Sequence, residues 1–153
     1  MPAQRSAVAI LVAAALLLAV PAVAGSSSLS SIGLTAKLTA SQEVPPQAVK
    51  NLGASGSFTA QLRPIKNGYR LTWKLTFRGL SGQAKTAYLH QGRPGAHGAA
   101  LVHLCSLCKS GATGSSYFSP PELKLARAGR LYVNVRTTKN PSGEIRGQVR
   151  VGS

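Results

Sequence analysis

From Tyr69 to Arg78 the chain alternates at every step. Leu71, Trp73, Leu75 and Phe77 take one set of positions, and Arg70, Thr72, Lys74, Thr76 and Arg78 take the other. A repeat of two belongs to a β-strand, so the apolar set lines one face of a sheet and the cationic set the other. The same pattern recurs. Leu34, Ala36 and Leu38 alternate with Thr35, Lys37 and Thr39, and Phe58, Ala60 and Leu62 with Ser57, Thr59, Gln61 and Arg63. Leu131, Val133 and Val135 alternate with Tyr132, Asn134 and Arg136; lastly Ile145, Val149 and Val151 oppose Glu144, Arg146, Gln148 and Arg150. Turn residues separate the runs: Asn67-Gly68, Gly79–Gly82 and Asn140–Gly143. Pro120–Ala128 is the one helical turn, ended by Gly129. Strands at this spacing without a sustained helical period predict an all-β, antiparallel sandwich.

The first residues read as targeting rather than structure. Arg5 supplies a positive start, an apolar run of 13 residues (VAILVAAALLLAV) follows, and Pro21 breaks it before Ala22-Val23-Ala24. Small residues at Ala22 and Ala24 suit a signal peptidase, so residues 1–24 are expected to be removed as a signal peptide. An uncleaved anchor is the alternative, but the run is short of the ~20 residues that span a bilayer. Residues 25–31 (GSSSLSS) read as a flexible leader and residues 32–153 as one domain. The expectation is a secreted, periplasmic or extracellular protein with no membrane span once processed.

Eighteen Lys and Arg stand against three carboxylates, Glu43, Glu122 and Glu144, for a net charge of +15; aspartate is absent. Such a surface attracts polyanions, and export favours acidic envelope polymers or extracellular material over genomic DNA. A solvated cationic surface kept for solubility accounts for the same charge. Arg70, Lys74 and Arg78 share one strand face and Arg146 with Arg150 another, which makes these five the candidate anion-binding face. Trp73 and Phe77 side with the apolar set, so no aromatic platform interleaves the basic stripe and nucleic acid is disfavoured as the ligand.

Four blocks in order resemble the CHRD domain, the module named after chordin and frequent in secreted bacterial proteins. They are Gln42-Glu43-Val44-Pro45-Pro46, Ala87-Tyr88-Leu89-His90 with Gly92, Gly95 and Gly98, Tyr132–Thr137, and Gly143–Gln148. The resemblance runs from about Leu34 to Val151 and implies an immunoglobulin-like or superoxide-dismutase-like sandwich. It implies little about activity: animal chordins bind growth factors, and bacterial members have no settled role. Many members carry His-x-His where this chain has Tyr88-Leu89-His90, and His where it has Arg136. Three imidazoles there would suit copper or zinc. A single histidine beside a phenol and a permanent cation leads us to expect that any such metal site is lost. Tyr88, His90 and Arg136 could instead form a small polar pocket for an anion, although a lone strand histidine is more often simply packed and hydrogen-bonded.

Cys105 and Cys108 form a C-x-x-C, and with His97 and His103 they put four potential zinc ligands within twelve residues. The following Lys109–Gly114 reads as loop, not as the helix that a thioredoxin-like site needs. In an oxidising compartment the favoured reading is a disulfide closing a small ring, with a modest effect on stability; zinc is the alternative and redox catalysis the weakest.

Inventory removes most catalysis. A Ser-His-Asp triad has no Asp, paired carboxylates would have to come from three glutamates, and calcium would want more acidic oxygens. Gly92–Gly98 lacks the spacing and the following helix of a phosphate-cradling loop. Glu43 and Glu144 read as structural. No cofactor is implied. The expected function is therefore a non-catalytic binding or structural module with an anionic ligand. The alternative is a metal-binding or redox-active domain using His90 or the His97/His103/Cys105/Cys108 cluster.

Overall fold

The computed structural model describes residues 30–45 and 53–152. The expected signal peptide, and residues 25–29 of the expected leader, lie outside that range. Nine strands are present among the described residues: β1 (Ile32–Thr39), β2 (Ser55–Ile65), β3 (Gly68–Arg78), β4 (Ala84–Gln91), β5 (Ala100–Ser106), β6 (Ala112–Phe118), β7 (Leu131–Thr137), β8 (Ile145–Gln148) and β9 (Arg150–Val151). A short 3-10 turn, Ala40–Gln42, follows β1, and one helix, α1 (Pro120–Arg127), joins β6 to β7. The strands pair antiparallel in the order β5-β4-β7-β8-β1-β2-β3-β6, with β9 also on β1. The sheet curls until its edge strands β5 and β6 approach each other. The all-β, antiparallel class is as expected, and the two layers are parts of one nearly closed sheet.

Alternation decides what the curl encloses. Leu34, Ala60 and Trp73 are consecutive partners across β1, β2 and β3, and all three are buried. Leu38, Phe58, Leu62, Leu71 and Leu75 join them from the same strands; Leu89, Val133, Val135 and Ile145 close the core from the other half. Each such side chain contributes about 1.5–3 kcal/mol by leaving water. Opposite them, Thr35, Thr59, Lys74 and Thr113 form a cross-strand row on the outer face.

One stretch departs from its sequence reading. Lys109–Gly114 was expected as loop, yet β6 begins at Ala112 and pairs with Leu75. Gly114 lies opposite Trp73, and a Cβ there would run into the indole ring. The large ring needs a residue without a side chain beside it, and that erases the alternation.

The ends of elements are held by carboxylates. Ser119 caps α1 by accepting from the Glu122 N–H at 3.3 Å, while its own N–H donates to Glu122 Oε2 at 2.6 Å. Glu144, fully buried, clasps the turn before β4 to the β7–β8 hairpin. It accepts from the Ser81 N–H and hydroxyl, the Thr137 hydroxyl and the Asn140 amide. Burial alone would raise its pKa, but these hydrogen bonds outweigh burial and hold it below the ordinary value. The clasp is thus complete above the normal glutamate range and weakens as pH falls through the lowered pKa. Glu144→Ala strands four donors, and chemical denaturation at neutral pH is expected to show a loss of about 3 kcal/mol or more.

Candidate functional site

On β4 and β7 the outer face is not bare. Tyr88 is paired with Asn134 and His90 with Tyr132, while Arg146 of β8 is paired with Asn134 and Gln148 with Tyr132. Two stretches cover this patch: the loop Gly92–Gly98 and the segment from Ala40 to Val44. Under them His90, Tyr132, Asn134 and Arg146 are buried, as is Glu43 within the second stretch, although each strand residue among them holds the polar position of its alternation.

Contacts run through the patch in a chain. The His90 ring stacks on Tyr132 with centroids 4.9 Å apart, and the Arg146 guanidinium carbon lies 3.6 Å from the Tyr132 centroid. Arg146 Nη2 donates to the carbonyls of Arg93 (3.1 Å) and Ala96 (2.7 Å), pinning the loop onto β8. Gln148 Nε2 adds bonds to the Gly92 and Gly129 carbonyls at 2.7 and 2.8 Å. Asn134 Nδ2 donates to both oxygens of Glu43, at 3.0 and 2.9 Å, which ties down the segment after β1.

The candidate pocket residues Tyr88, His90 and Arg136 are brought together. The Tyr88 ring stands edge-on to His90 at 5.8 Å, and the Arg136 guanidinium is 5.4 Å from its centroid. His90 Nδ1 lies 3.1 Å from the Gly98 carbonyl, which assigns the proton to Nδ1. Nε2 is then a buried lone pair, and among the described residues it has no partner; Asn134 Oδ1 and Arg136 Nε share that condition. Burial lowers the His90 pKa, the Gly98 hydrogen bond opposes this, and the charges of Arg136 and Arg146 lower it further. Glu43 moves the other way. Burial pushes its carboxyl up to about 7, against the lowering effect of the Asn134 hydrogen bond and the Arg146 charge.

Arg146 corrects the sequence reading. It was assigned with Arg150 to a solvent-facing cationic surface; it points to the outer side, but it is 2% exposed. Alternation fixes which way a side chain points and is silent about a loop that folds over it. Arg70, Lys74, Arg78 and Arg150 are exposed. Arg150 partners Thr35, in the same cross-strand row as Lys74.

The zinc arrangement is not assembled either. Cys105 and Cys108 are joined to each other at 2.10 Å, His103 packs against Tyr88 with ring centroids 5.0 Å apart, and His97 is exposed in the loop. His103 Nε2 lies 3.1 Å from the Ser106 hydroxyl. Among the described residues no three His, Cys, Asp or Glu side chains are placed to hold one ion.

Glu43, Tyr132, Asn134 and Gln148 were not singled out as site residues. Asn134 and Tyr132 did carry a signal, as large polar groups in a run otherwise fit for a core. The partnership of Glu43 with Asn134 spans 91 positions and leaves no local trace.

A family model for the CHRD domain matches residues 34–149. The chain belongs to the CHRD domain family. That membership supports a small domain of extracellular type. No curated protein and no solved structure matches the chain. No helix among the described residues is long and apolar enough to cross a membrane.

The raised Glu43 pKa has a definite sign in this CHRD domain. Its folded value lies above the unfolded one, so its contribution to stability is full below pH 4.5 and is lost as pH rises toward 7. Glu43→Gln removes the titration while keeping the shape of the side chain. The stability gap between wild type and variant, from urea melts, is expected to change by roughly 3 kcal/mol between pH 4.5 and 8, in favour of the variant at high pH.

Proposed function

We propose that this CHRD domain is a non-catalytic, secreted binding module whose exposed cationic sheet engages an anionic envelope or extracellular polymer. The observation that carries the reading is the bare half of the outer face. Lys37, Arg63, Arg70, Lys74 and Arg78 are all exposed on β1, β2 and β3. Arg63 and Arg70 are direct cross-strand partners. Like charges placed opposite one another cost stability, so the fold gains nothing from that pair. A shallow concavity of about 550 Å³ on the same face has Lys37 and Arg78 in its wall.

None of the three glutamates is available to neutralise this face. Glu43 is taken by Asn134, Glu122 by the start of α1, and Glu144 by the Ser81–Thr137–Asn140 clasp. The alternative of a metal- or redox-active domain draws no support from the placement of its residues.

The test is binding of the purified chain to isolated cell envelope and to purified acidic polymers across a salt series. The expected result is binding that weakens steeply with salt and drops about tenfold or more at low salt in an Arg70→Glu/Lys74→Glu/Arg78→Glu variant. Absence of binding even at low salt overturns the reading and leaves the charge as a surface property.

A further inference from the structure

Between the segment Ser41–Val44 and the residues Pro94 and Gly95 lies a cavity of about 560 Å³, within the range of small-molecule sites. Gln42, Glu43, Arg146, Gln148 and Arg150 supply its polar wall. Glu43 and Arg146 are 3% and 2% exposed, so these charged groups are built into the fold. Arg146 is immobilised by the Tyr132 ring and by its Nη2 bonds to the Arg93 and Ala96 carbonyls. Both amides are oriented as well. Gln42 Nε2 donates to the Lys37 carbonyl at 2.9 Å and to the Thr39 hydroxyl at 3.0 Å, and Gln148 Nε2 donates to the Gly92 and Gly129 carbonyls. Their nitrogens are committed, and the carbonyl oxygen of each amide is the end left for a ligand.

From this arrangement we propose that the cavity binds a hydroxylated carboxylate, the chemistry of a uronic acid unit. With Nη2 committed to the Arg93 and Ala96 carbonyls, the remaining guanidinium N–H groups of Arg146 are left to donate to a carboxylate oxygen, and Arg150 at the rim adds a second cation. The Gln42 and Gln148 oxygens accept from sugar hydroxyls. A neutral sugar lacks the anion, and inorganic phosphate lacks the array of hydroxyl donors. Discrimination of this kind is strong because a ligand that lacks the charge or the hydroxyls leaves fixed polar groups unpaired.

Glu43 adds a condition. Ionised, it repels a ligand carboxylate; protonated, it donates to one. The groups facing it are Asn134 and Arg136 from β7 and Arg146 from β8, with His90 beyond Tyr132 on β4. Burial dominates among these influences and holds its carboxyl at about 7. Binding of the carboxylate therefore takes up a proton around neutral pH. Apart from Arg150, the site uses none of the residues of the exposed cationic face, so each reading can fail alone.

The experiment is calorimetric titration of the full chain with glucuronate, glucose and inorganic phosphate at pH 6 and pH 8, in two buffers of different ionisation heat. Glucuronate is expected to bind at least ~10-fold more tightly than glucose or phosphate, and about tenfold more weakly at pH 8 than at pH 6, with proton uptake visible as a buffer-dependent heat. Arg150→Gln, at an exposed position, is expected to weaken glucuronate binding several-fold, and Glu43→Gln to remove the pH dependence. The Arg70→Glu/Lys74→Glu/Arg78→Glu variant is expected to bind glucuronate as wild type does. Glucuronate binding no tighter than glucose or phosphate, or unaffected by Arg150→Gln, overturns the assignment. Affinity independent of pH in the wild type overturns the role given to Glu43.

Discussion

The Glu43 carboxylate, held by the Asn134 amide and flanked by Arg146, joins a segment near the start of the domain to strands near its end. Arg146 in turn grips the Gly92–Gly98 loop, and that loop fixes the His90 tautomer through the Gly98 carbonyl. Three parts of the chain far apart in sequence thus depend on one buried acid and the cation beside it. The charge of Arg146 favours the ionised acid, but burial outweighs it, so the fold holds Glu43 at a cost that grows as the carboxyl ionises.

A chain with three carboxylates could have spent them neutralising its many cations. Here each is fixed mainly by neutral donors: an asparagine amide, a helix cap, and a cluster of hydroxyl, amide and backbone groups. The consequence is electrostatic. Arg63 and Arg70 stay opposed across β2 and β3, and none of the three glutamates is placed to offset them. Salt screens repulsion of this kind between exposed charges.

Strand positions were legible because the inside of a curled sheet asks only for alternation, and Leu71, Trp73 and Leu75 supply it in the purest form. The helix was legible through Pro120, Pro121 and the Gly129 stop. β6 was not, because Gly114 gives its place to the Trp73 ring and the rest of the strand is small and polar. At the site, sequence identified Tyr88, His90 and Arg136 as neighbours, since strand spacing and the family resemblance bear on that question. It misjudged Arg146 and passed over Glu43 because cover is a property of distant segments. Whether a polar strand residue meets water or a loop depends on Gly92–Gly98 and Ala40–Val44, and no local pattern records their path.

Arg146 and Arg150 bring both halves of the outer face to one place. Four positions apart, they point to the same side; one is held beneath the loop at the wall of the cavity and the other stands in solvent beside Thr35. Arg150 lies in the row that leads to Lys74 and also borders the cavity that Glu43 and Arg146 floor. A rigid buried cation gives selectivity for the shape of an anion, whereas mobile exposed cations give reach and salt-sensitive attraction. As proposed above, the covered half recognises one unit and the bare half retains a longer charged chain. An acidic polymer built from uronic acid units satisfies both proposals.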